Sequence, residues 1–111
     1  MKTEQPLLIT SILCIDNNGI FKNRFVTFEG SYGREGSKSL GVCNADTSFN
    51  EMMPVMVKGI ALVIAADSIG LGEPVECFDD GAAKSYDGGN IEGYALDASN
   101  GGNELIRILL V

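Results

Sequence analysis

The residues that could do chemistry in this 111-residue chain are few, because it contains no histidine. That absence removes the commonest general base and every Ser-His or Cys-His nucleophile pair. Asp79-Asp80 is the obvious carboxylate pair, and two carboxylates can in principle run glycoside hydrolysis. The pair precedes Gly81, however, and Asp is favoured in an Asp-Gly turn for backbone reasons alone. With Asp87 and Asn90 the same acids could offer oxygen ligands to Ca²⁺, but Asp79-Asp80-Gly81 fits neither an EF-hand loop nor a Gly-Gly-rich calcium repeat. Gly30-Ser31-Tyr32-Gly33 lacks the spacing of a nucleophile elbow, and Gly33-Arg34-Glu35-Gly36-Ser37-Lys38 lacks the pattern of a phosphate-binding loop. Cys14, Cys43 and Cys77 are far apart, form no C-x-x-C pair and lie among apolar residues. They read as small buried hydrophobes in a reducing compartment, not as zinc ligands. The expectation is a binding protein, not an enzyme, with no cofactor and no metal.

The elements that would carry any binding residues are strands. Asn18-Gly19, Asp80-Gly81, Asp87-Gly88 and Asn100-Gly101 tolerate the positive φ angles of hairpin turns. The first dipeptide separates the apolar run 7–15 from the segment 21–28, and the last separates 91–98 from the closing run 105–111. Both pairs are expected to form antiparallel hairpins, with another short one, 74–78 and 82–86, around Asp80-Gly81. Residues 40–43 are a short strand candidate. Residues 55–58 and 60–65 follow, broken by Gly59, which suggests a bulge. Ile60, Leu62 and Ile64 would line one face and Ala61, Val63 and Ala65 the other, as in a strand buried within a sandwich or barrel. Ser48-Phe49-Asn50-Glu51 has capping-box spacing, but Pro54 would stop a helix within about a turn. The fold class expected is all-β, a small antiparallel sandwich or barrel with Gly-rich hairpins and little or no helix.

Length and composition point to one globular domain. No apolar run approaches the ~20 residues that span a bilayer, and residues 1–6 lack the features of a signal peptide. Synthesis in a cytoplasm is expected. The net charge of −7 repels phosphate backbones and anionic lipids, so neither nucleic acid nor membrane is an expected partner. Half of the bases, Lys22, Arg24, Arg34 and Lys38, fall within residues 22–38, whereas nine acids stand against Lys84 alone between Asp67 and Glu104. Such a two-signed molecule can dock electrostatically on a partner or on its own copies.

Two segments have contact-like chemistry. Residues 29–39 are rich in Gly and Ser, show no strand pattern and read as a mobile loop carrying Tyr32, Arg34 and Lys38. Residues 1–6, with Lys2 and Glu4, read as a flexible arm ahead of the β domain 7–111. These five side chains are the candidate contact residues.

The order of several short motifs also resembles a known family. Leu40-Gly41-Val42-Cys43-Asn44-Ala45-Asp46 is followed by Pro54-Val55-Met56-Val57-Lys58-Gly59-Ile60-Ala61-Leu62-Val63. Then come Ile69-Gly70-Leu71-Gly72-Glu73-Pro74-Val75, Asp80-Gly81-Ala82, Gly93-Tyr94-Ala95-Leu96-Asp97-Ala98 and a closing Asn103-Glu104-Leu105-Ile106-Arg107-Ile108-Leu109. Together these resemble the small decoration proteins, also called cement or staple proteins, of tailed-phage capsids. The resemblance spans about residues 40–110, so the first 39 residues are where this chain's own contacts are expected. It implies a viral structural protein on the outer capsid surface of the virion. Such a protein bridges major capsid protein subunits on the assembled shell, stabilises the head, and forms a homo-oligomer, a homodimer before a trimer. The alternative is a non-catalytic β-sandwich module that binds carbohydrate or another small ligand, against which stands the lack of any Trp for sugar stacking.

Overall fold

The structure, a computed structural model, describes residues 2–111; Met1, the first residue of the expected arm, lies outside the described residues. Among the described residues ten strands follow one another: β1 (Gln5–Leu13), β2 (Phe25–Val26), β3 (Gly41–Cys43), β4 (Met52–Ala65), β5 (Ser68–Ile69), β6 (Pro74–Cys77), β7 (Ala83–Ser85), β8 (Gly93–Ala95), β9 (Ser99–Asn100) and β10 (Glu104–Leu110). Among the described residues the only helical piece is a 3-10 turn at Asp79–Gly81, and no helix is long and apolar enough to cross a membrane.

Five strands close on themselves. β10 pairs with β8, β8 with β6, β6 with β7, β7 with β4, and β4 again with β10. The open choice between sandwich and barrel is thus decided for a small closed barrel. Four of the five pairings are antiparallel, and the closure of β4 on β7 through Ala65 and Ala83 is parallel. The interior of so narrow a barrel has room only for alternating small and medium side chains. Ala61, Val63 and Ala65 of β4 meet Val75, Cys77, Ala83, Ala95, Ile106 and Ile108 there, all buried. The opposite face of β4, with Ile60, Leu62 and Ile64, is half-buried, which is the alternation expected of a strand on a barrel wall.

The fourteen-residue β4 is longer than its barrel partners, and its first half carries a second layer. β1 runs antiparallel along it from Gln5 opposite Ile60 to Leu13 opposite Met52, while β3 holds the other edge at Val55 and Met56. Beneath this extension Cys14, Ile20, Val26, Cys43, Met53 and Val55 form a second buried cluster, flanked by Ile12, Tyr32, Leu40 and Val57. Gly59 does not break β4, as the sequence suggested, but bends it. Its φ of +117° suits only glycine, and a Cβ there would collide with the Gln5 carbonyl and the Leu7 amide. The β1–β4 ladder slips register on either side of Leu8, so the expected bulge is present.

The hairpins divide. Asp80-Gly81 joins β6 to β7 as expected, with φ of +62° and +76° at the two residues. β8 and β10 also pair antiparallel, although β9 between them joins β5 instead. Asn18-Gly19 makes its turn, but β1 does not fold back onto residues 21–28. It pairs with β4, and β2 pairs with β3. The segment Ser48–Glu51 forms no helix; Glu51 Oε1 accepts the Ser48 N–H at 2.9 Å in a single turn before β4.

Candidate interaction surfaces

Each side chain singled out in the sequence has a definite place. Lys2 donates to the Leu105 carbonyl at 2.8 Å and lies 3.7 Å from the Glu104 carboxylate. Glu4 faces the Asn44 amide, whose nitrogen, oriented to donate, reaches Glu4 Oε2 at 2.8 Å. Residues 2–4 therefore lie along the body, and the strand begins at Gln5 inside the segment read as an arm.

The 29–39 stretch is tied down repeatedly. The Gly33 N–H donates to Phe25 O, the Gly36 N–H to Cys77 O and the Leu40 N–H to Val26 O. Tyr32 is half-buried, accepts the Phe21 N–H on its hydroxyl at 2.9 Å and lies under the Arg24 guanidinium. Lys38 donates to Glu92 Oε1, and the Ser39 N–H donates to Glu92 Oε2. Lys2, Glu4, Tyr32 and Lys38 thus all have partners within the chain. Arg34 is exposed and, among the described residues, pairs with no carboxylate.

The fold does assemble one of these sets. Tyr32 and Arg34 share an open cleft of about 520 Å³ with Asp16, Ser31, Gly33 and the Asp79-Asp80 pair, nearly fifty residues away in sequence. The Asp79 and Asp16 carboxylates accept backbone N–H groups, whereas Asp80 takes part through its main-chain carbonyl. Asp79 Oδ1 accepts the Glu35 N–H at 3.3 Å, and Arg24 Nη1 donates to the Asp80 carbonyl at 3.0 Å. A second cleft, about 470 Å³, lies between loops 17–21 and 46–49, which an Ile20–Thr47 bridge holds together. Phe21 and Phe49 stand exposed in its lining beside Asn17, Asn18, Asp46 and Ser48.

The largest feature was not singled out in the sequence. β1 reads Gln-Pro-Leu-Leu-Ile-Thr-Ser-Ile-Leu, yet every position except Ile12 is exposed. Leu7 is 83% exposed, Leu8 54%, Ile9 41% and Leu13 43%, with Ile15 and Met52 exposed nearby. Among the described residues β1 pairs with β4 alone, so its other edge is open. An apolar run meant for a core and one meant for a partner look alike in sequence. The one local sign is the lack of any acid or base from Gln5 to Ile15.

No family model matches the sequence, and no curated protein matches it. Among solved structures, the chain is similar to the head fibre gp8.5 N base of bacteriophage phi29. The TM-score is 0.77 at 18% sequence identity, over 94% of this chain and 95% of that one. The two share a fold along essentially their whole lengths.

Proposed function

We propose that this chain is a structural protein of a tailed-phage head, bound to the outer surface of the assembled capsid, where it bridges neighbouring major capsid subunits and stabilises the shell. The observation that carries the reading is the fold likeness to the phi29 head fibre base along nearly the full length of both chains. The motif order that resembles capsid decoration proteins supports it independently. The chain acts by binding, not by catalysis: its sequence has no histidine, and the Asp79 carboxylate accepts the Glu35 backbone N–H. Arg34, exposed beside Tyr32, and the apolar β1 are the surfaces best suited to protein contacts.

Co-sedimentation with mature undecorated capsids, and separately with free capsid subunits, tests this. Saturable binding to shells but not to subunits is expected; no binding to any shell removes the reading. A second reading, a saccharide-binding module, has one observation in its favour: the cleft where Phe21 and Phe49 flank amides and a carboxylate. Glycan binding that is lost in Phe21→Ala and Phe49→Ala would favour it.

A further inference from the structure

We propose that copies of this chain associate with one another through β1. The strand joins three properties rarely left together on a solitary domain. It is nine residues long, its outer edge is unpaired among the described residues, and it exposes Leu7, Leu8, Ile9 and Leu13. Natural proteins blunt such edges with charge, brevity or a covering loop, because an open edge templates the addition of another strand. Here Pro6 and the register slips around Leu8 interrupt the start of the strand, and residues 9–13 remain a regular, uncharged edge.

Charge argues for a second copy as the occupant. Each copy carries −7, so two copies repel wherever their acidic surfaces meet. The stretch from Gln5 to Ile15 contains no acid or base, and the residue opposite Leu8 is the exposed cation Lys58. It is a surface on which like-charged copies can approach without facing carboxylate to carboxylate. A partner of opposite sign would be met better by the acidic stretch 67–104 than by an uncharged strand.

The area is adequate. Leu7, Leu8, Ile9, Leu13, Ile15 and Met52 together expose on the order of 500 Å² of apolar surface. The edge of a strand about 30 Å long adds its backbone, which brings the contact near the roughly 800 Å² per partner of a standard interface. The inference goes beyond the capsid reading and does not rest on it, since it is tested with no shell present.

Light scattering behind size exclusion is expected to give a multiple of the chain mass for the wild type. The double variant Leu8→Glu/Leu13→Glu should run as a monomer with an unchanged circular dichroism spectrum. Leu71→Glu, at a still more exposed leucine on the turn between β5 and β6, should leave the mass unchanged. A monomeric wild type, or a β1 variant that still assembles, overturns the proposal. Should the double variant fail to fold, hydrogen exchange on the wild type decides. Amides of β1 that slow as concentration rises support the proposal; exchange independent of concentration overturns it.

Discussion

The Lys38 ammonium lies 2.8 Å from Oε1 of Glu92, a half-exposed cation over a carboxylate that is only 2% exposed. The other oxygen of Glu92 accepts the Ser39 N–H at 2.7 Å. The Glu92 backbone meanwhile donates to Val75 O and accepts from the Val111 N–H. One side chain thus fastens the 29–39 stretch to the barrel where β6, β8 and β10 converge.

Glu92→Ala leaves the buried Ser39 N–H without an acceptor, so a loss of about 2–3 kcal/mol in denaturant unfolding is expected. Lys38→Ala leaves the carboxylate buried and uncompensated. Because Lys38 is half in solvent, that cost should be smaller, about 1–2 kcal/mol. If Lys38→Ala weakens capsid binding with no loss of stability, Lys38 is a contact residue and not a clasp.

The three cysteines supply a second prediction. All are unpaired and fully buried. Burial pushes the Cys77 thiol up to about 12, and burial also raises Cys43. At about pH 8 the folded protein should therefore react slowly with thiol reagents, and all three should react once it unfolds. Rapid labelling of Cys77 at rates independent of denaturant would show that the barrel interior opens without unfolding.

What the sequence conveyed was local. Asp80-Gly81 specified its hairpin because both residues tolerate the left-handed backbone and the strands on either side are only a few residues long. Asn18-Gly19 carried the same signal, yet β1 left its sequence neighbour for β4, forty residues on. Turn chemistry bends the chain, but the longest apolar ladder chooses the partner. The bulge at Gly59 was legible because an isolated glycine in a β pattern has few other uses. Barrel closure was not, since it rests on one parallel bridge between two alanines, Ala65 and Ala83, which have no pattern of their own. For the site, residue type pointed to Tyr32 and Lys38, but the fold gave both intramolecular partners. The exposure of β1 depends on what does not cover it, and no residue type records that.

Gly59 offers a third test. Gly59→Ala is expected to cost well over about 1–2 kcal/mol, because the Cβ meets both an unfavourable φ and the backbone of Gln5 and Leu7. Gly72→Ala, at φ +81° with open space around it, should cost only the conformational part, about 1 kcal/mol. Equal losses in the two variants would mean that β1 gives way at the bulge instead of being seated by it.

The last prediction concerns pH. Asp97 grips Arg107 as a fork: Oδ2 accepts from the Arg107 backbone N–H at 2.9 Å and from Nε at 3.1 Å, while Oδ1 accepts from Nη2 at 3.1 Å. These side-chain bonds hold the Asp97 carboxyl below its ordinary 3.8, against an opposing effect of partial burial, and the pairing raises Arg107. A carboxyl whose folded value lies below its unfolded one binds fewer protons in the native state. Its contribution is therefore complete above about pH 4 and is lost as pH falls through the lower, folded value. The melting temperature of the wild type should exceed that of Asp97→Asn at neutral pH, and the gap should close as the solution is acidified below pH 4. Added salt should narrow the neutral-pH gap, because the pair is partly exposed. Arg107 keeps its charge throughout the alkaline range, so no matching loss is expected there. A gap that stayed constant from neutral pH into strong acid would mean that the fork between β10 and the bend after β8 at Asp97 adds nothing through its charge.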